Sequence, residues 1–176
     1  MKKLIIFLFI TLSFSNSIKG YYKQLKHLNQ NQIEIMKFIY YNAKKDANLG
    51  YTMTAIAFKE SQFGRYLINL DDPSCGVFHK LLPMYAIELG LKPNKWNESR
   101  LCEKLIESYE LAYKVALNDF LKNYNYWKIK GYNNSIAWKR AIMSYNAGIN
   151  GWKNGYRYYK EIVKIIKALR KLNTPL

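Results

Sequence analysis

Apolar residues in this chain recur every three or four positions in one window after another, and strict two-residue alternation is nearly absent. That period belongs to helices that bury one face, so it predicts a mainly α fold. Leu28, Ile33, Ile35, Met36 and Ile39 form the first stripe, which runs out near Asn48-Leu49-Gly50. A second helix is predicted from Thr52 through Met53, Ile56 and Ala57 to Phe63, stopped by Gly64. Residues 67–79 hold Asn, Asp, Pro, Ser and Gly, the composition of a long loop with short extended pieces at most. Pro83 suits the first turn of a short helix reaching Gly90. Asn97 is the expected N-cap of one long helix carrying Leu101, Leu105, Tyr109, Ala112, Ala116 and Phe120. Two more helices are predicted, from Ser135 to near Tyr145 and from near Tyr156 to Leu172. The last carries Tyr159, Val163, Ile166 and Leu169 on one stripe.

The N-terminus has the three-part layout of a secretory signal peptide. Lys2 and Lys3 precede an apolar run from Leu4 to Leu12, and Ser15 and Ser17 suit the −3 and −1 positions of a cleavage site. The alternative is an uncleaved anchor, but the run is too short for the roughly 20 residues a spanning helix needs. Residues 1–17 are therefore read as a signal and 18–176 as a single domain, periplasmic or secreted, with no later membrane-spanning segment. Without Lys2 and Lys3, 26 basic residues face 12 acidic ones, a net charge of +14. Such a balance attracts polyanions, and export removes cytoplasmic nucleic acid from the candidates in favour of an anionic cell wall or acidic lipid. An AT-rich coding sequence also enriches Lys, Asn, Ile and Tyr, so the charge and the 16 tyrosines carry no function on their own.

In an oxidising compartment Cys75 and Cys102 could pair and stabilise the fold by about 3 kcal/mol. Free thiols are one alternative. A metal site with His27 and His79 is another, although only Cys75-x-x-x-His79 has a suggestive spacing.

Glu60 is the candidate for acid chemistry. It ends the apolar run Met53-Thr54-Ala55-Ile56-Ala57-Phe58, with Ile56 and Phe63 on its own side of the helix. Desolvation there favours the neutral acid. Alone, a glutamate at a helix end is usually a surface residue. Two further motifs follow it: Ser74-Cys75-Gly76-Val77-Phe78-His79 and Tyr145-Asn146-Ala147-Gly148. With Glu60-Ser61 they resemble, in order and rough spacing, the three motifs of the soluble lytic transglycosylase family, over residues 48–163.

The resemblance implies a lysozyme-like helical domain with a loop-rich cleft that binds the glycan strands of peptidoglycan. Glu60 would be the single catalytic acid and later base, giving a 1,6-anhydro product without metal or organic cofactor. Ser61 would bond a sugar or the carboxylate, and Ser74, Gly76, Val77, Phe78 and His79 would line the cleft opposite Glu60. Tyr145 would contact the carboxylate, Asn146 would reach the sugar, Gly148 would allow a tight turn, and Tyr159 would stand for the tyrosine of the family's last helix. His79 departs from the family, which carries glutamine there, and a histidine brings a pH-dependent charge.

A hydrolase would need a second carboxylate, for which Asp71 or Asp72 is available, although Asp72-Pro73 reads first as a turn. Two rivals are an inactive wall-binding domain and a cationic membrane-active protein built on the basic last helix. The aromatic residues of the C-terminal half divide into expected core (Trp138, Tyr159) and open cases (Trp127, Trp152). The enzyme is expected to act as a monomer, and general wall turnover, a wall-spanning secretion machinery and attack on another cell are all settings that suit it.

Overall fold

A computed structural model describes residues 17–172 and is mainly helical. Eight helices run α1 (Ile18–Leu25), α2 (Gln30–Ala47), α3 (Gly50–Ser61), α4 (Leu82–Glu88), α5 (Lys95–Glu107), α6 (Tyr109–Ile129), α7 (Asn134–Ala147) and α8 (Tyr156–Lys171). Between α3 and α4 a small antiparallel hairpin pairs β1 (Ser74–Cys75) with β2 (Lys80–Leu81), in the register Ser74 to Leu81 and Cys75 to Lys80. The signal-peptide reading falls, apart from Ser17, outside the described residues. None of the described helices is long and apolar enough to cross a membrane.

Local chemistry sets most boundaries. Asn29 and Gln32 form a reciprocal capping box that starts α2, and Asn48 ends it in the left-handed conformation (φ 55°). The helix that follows, α3, is buried on nearly every side, from Thr52 through Phe58 to Ser61, as an all-round apolar helix must be. It is packed between α2 and α8, while α7 packs against both α6 and α8. Phe63, Phe78, Phe120, Ile142 and Ile162 fill the centre.

Two differences from the sequence reading have clear causes. The single long helix is two, because Ser108 adopts an extended conformation (φ −130°, ψ 104°) and its Oγ accepts the Leu111 N–H at 3.0 Å. Serine at that point offers the backbone a better partner than continued helix, and the true cap of α5 is Asn94 rather than Asn97. The short helix α1 was not predicted. Ser17 caps it, and it packs on α8, with the Tyr21 hydroxyl donating to Glu161.

Cys75 of β1 and Cys102 of α5 form a disulfide across 27 positions. The hairpin is held from its other strand by Lys80, whose ammonium lies 2.9 Å from Glu88 and 2.7 Å from Asp119. One small sheet is thereby fastened to three helices.

Candidate active site

Glu60 occupies the last turn of α3, and the chain reverses sharply after it. Gln62, Phe63 and Gly64 are all left-handed (φ 52°, 57° and 87°), a conformation that bulky L residues rarely take. Tertiary contacts hold the run in place. Phe63 is fully buried, the Gln32 side-chain amide donates to the Gln62 carbonyl at 2.7 Å, and the Gly64 N–H donates to Ser61 Oγ at 2.9 Å. Ser61 Oγ then donates to the Val77 carbonyl at 2.7 Å. Ser61 is therefore buried and occupied, clamping the end of α3 to the hairpin loop instead of facing a sugar or the carboxylate.

The hairpin loop divides its residues between core and cleft. Gly76 is left-handed (φ 82°), and a β-carbon there would sit 3.0 Å from the Leu105 carbonyl oxygen. Only glycine satisfies both constraints. Val77 and Phe78 are buried, and they offer the site only their carbonyls, to Ser61 and Tyr145 respectively. Gly76, Val77 and Phe78 are thus packing residues, contrary to the expectation that they line the cleft, because burial of the two apolar side chains turns the segment inward. Ser74 is buried yet still borders the cavity. His79, left-handed at φ 45°, turns outward: Nε2 lies 2.7 Å from the Tyr66 carbonyl and Nδ1 lies 3.7 Å from Oε2 of Glu60.

The tyrosine that reaches Glu60 from α8 is Tyr158 rather than Tyr159. Its hydroxyl donates to Oε1 of the carboxyl. Tyr159 lies about 100° further round the helix, edge-on to Trp138 and stacked on Tyr156. The buried face of α8 runs through Tyr158, Ile162, Ile165, Ile166 and Leu169, so the expected stripe holds at Ile166 and Leu169 and is one residue out of register at Tyr159 and Val163. Tyr145 of α7 also borders the cavity, but its hydroxyl donates to the Phe78 carbonyl at 3.3 Å and not to the carboxylate.

Glu60, Ser74, His79 and Tyr145 meet in a cavity of about 570 Å³, the size of a small-ligand site. Asn146 and Gly148 border it from the end of α7, where Gly148 closes the helix at φ 70°. Asn69 and Asp72 border it from the loop after α3. Asp71 and Asp72 are both exposed in a turn whose hydrogen bonds run from Asp71 N–H to Asn69 Oδ1 and from Ser74 N–H to the Asp72 carbonyl. Among the other wall residues are Lys80, Asp119 and Asn123. These three escape a sequence reading because no motif contains them, and the ion pair of Lys80 with Asp119 is made only by the fold.

Burial pushes the Glu60 carboxyl up to about 7, with the charge of Asp72 adding to it, against the opposing hydrogen bond from Tyr158 and the charge of Lys59. Tyr145 and Tyr158 are held as neutral phenols well above their ordinary value, first by burial and then by the negative charge of Glu60. The site therefore keeps one carboxylic acid protonated near neutrality beside donors that do not titrate there.

The open aromatic cases resolve into packing. Trp127 is buried with its Nε1–H on Ser144 Oγ at 3.0 Å. The Arg140 guanidinium stands 4.8, 3.7 and 4.2 Å from the ring centres of Trp127, Tyr132 and Trp152. Trp138 donates to Thr52 Oγ1 at 3.0 Å. The disulfide removes Cys75 and Cys102 from any metal set, and among the described residues no three His, Cys, Asp or Glu side chains gather as ligands. No protein-family model, curated protein or solved structure significantly matches this chain.

Proposed function

We propose that this protein is an exported, lysozyme-like lytic transglycosylase that cleaves the β-1,4 bond between MurNAc and GlcNAc in peptidoglycan. The observation that carries the reading is Glu60: a half-buried carboxyl on a cavity wall, protonated to about pH 7, with Oε1 held by Tyr158. Cleaving a glycosidic bond needs such an acid aimed at the leaving oxygen. Glu60 gives its proton to that oxygen as the bond to C1 breaks. The sugar's 6-hydroxyl then attacks C1 and returns its proton to Glu60, leaving a 1,6-anhydro end and the acid restored. Asn146, exposed on the cavity wall, is the side chain offered to the sugar.

A single-acid route suits the other carboxylates of the cavity. Glu88 and Asp119 are both engaged by Lys80. Asp72 is the exception, and its position on the same cavity favours a second reading, hydrolysis of the same bond with Asp72 activating water.

Mass spectrometry of the soluble products from purified peptidoglycan separates the readings. The mature protein is expected to release 1,6-anhydro ends, and Glu60→Gln none. Reducing ends abolished by Asp72→Asn would replace the transglycosylase with the hydrolase. Binding without any release would mean a wall-binding module.

A further inference from the structure

The two ring nitrogens of His79 face different kinds of partner. A backbone carbonyl can only accept, so Nε2, 2.7 Å from the Tyr66 carbonyl, carries a hydrogen. In the neutral ring Nδ1 is then a lone pair, and it looks across 3.7 Å at Oε2 of Glu60. Oε1 of the same carboxyl already accepts from Tyr158, which leaves the acid proton to Oε2. An acid proton and a vacant lone pair thus confront each other.

The backbone is shaped around this meeting. His79 is held left-handed with its N–H on the Gly76 carbonyl at 3.1 Å. The Tyr66 N–H is bound to the Ser61 carbonyl at 3.0 Å, so the acceptor for Nε2 is fixed by the same reversal that closes α3. Strain of this kind collects where a side chain must be aimed.

We propose that His79 is a positioning residue that shares one proton with Glu60, the pair alternating between neutral carboxyl with neutral imidazole and carboxylate with imidazolium. The proposal rests on the reading of Glu60 as the acid and gives that acid a partner. Transfer breaks the Oε2–H bond and forms Nδ1–H, and the net charge of the pair does not change. The present gap exceeds hydrogen-bond length and must close by about 0.5–1 Å, as contacts in unliganded sites commonly do when substrate binds. A coupled pair keeps one proton between its two macroscopic steps. The acid is then drawn on over a wider pH range than a lone carboxyl serves. The other groups facing Glu60 are Tyr145 from α7, Tyr158 from α8, Lys59 from α3 and Asp72 from the loop. The two phenols are held well above their ordinary value by burial and by the charge of Glu60, and Asp72 is exposed.

The test combines imidazole nitrogen NMR of the full chain from pH 4 to 9, in the native sequence and in Glu60→Gln, with pH–activity profiles of the native protein and His79→Gln on purified wall. We expect the Nε2–H tautomer, a His79 response in two steps that becomes one step in Glu60→Gln, and a turnover loss on the order of tenfold in His79→Gln with one limb of the profile gone. An Nδ1–H tautomer, the same curve in both proteins, or an unaltered profile in His79→Gln overturns proton sharing. A wall left uncleaved while the two-step response persists upholds the shared proton and sinks the transglycosylase reading instead. The tautomer and its response in the unaltered chain decide the matter even if His79→Gln fails to fold.

Discussion

The phenol of Tyr158 donates to Oε1 of Glu60, and this one hydrogen bond ties the last helix to the end of the central one. It also opposes the burial that keeps the carboxyl protonated. Tyr158→Phe removes that opposition, so Glu60 should hold its proton to higher pH. The alkaline limb of wall cleavage is expected to move upward while turnover falls. Tyr159→Phe should leave the limb where it is, because the Tyr159 ring packs on Trp138 and Tyr156. Rates of wall solubilisation across pH measure both.

Glu60 should also make stability depend on pH. Its folded value, about 7, lies above its ordinary 4.5. The contribution is fully present below about 4.5 and is lost as pH rises through 7. Glu60→Gln has no proton to lose. The variant is expected to match the native protein near pH 4 and to exceed it by on the order of 1–3 kcal/mol above pH 8. Urea melts at the two pH values would show the gap opening, and a constant gap would contradict the shift.

Ser61→Ala should cost about 1–3 kcal/mol, because the Val77 carbonyl loses its donor and the Gly64 N–H its acceptor. The expected phenotype is reduced stability together with a loosened Glu60. A chemical denaturation midpoint that does not move would show that water replaces the hydroxyl without penalty.

Replacing Cys75 and Cys102 by serine should lower stability by about 3 kcal/mol, a fall in melting temperature of roughly 6–12 °C for a chain of this size. The hairpin should loosen before the helices do, since it loses its covalent tie to α5 and keeps only the Lys80 ion pairs and the non-covalent contacts of its loop. Hydrogen exchange at Ser74 and Leu81 against the α3 amides would report the order.

The sequence was most legible where one force decides. Apolar spacing located α2, α3, α7 and α8 to within a few residues, since each buries a continuous face. Glu60 was legible because its neighbours in the helix are apolar. Spacing failed at Ser108, where Leu101, Leu105, Tyr109 and Ala112 keep the period across a break made by a side-chain hydrogen bond. It failed again at Tyr158 and Tyr159, where adjacent identical residues leave the register to the rest of the stripe; Ile162 and Ile165 would have settled it. The roles of Ser61, Val77 and Phe78 were misjudged because a motif names residues without saying which atom acts. Here Val77 and Phe78 contribute carbonyls and the serine a clamp. Lys80, Asp119 and Asn69 come together only through folding.

The docking of α8 on α3 has a consequence for biogenesis. Glu60 precedes Tyr158 by 98 positions, so a growing chain carries the carboxyl long before the phenol that fixes it. Tyr158 shares the buried face of α8 with Ile162 and Ile165, so the phenol reaches Glu60 only when that face docks. The carboxyl thus stays without its phenol in any chain not yet extended through α8, and gains it in one event, when that helix docks on α3.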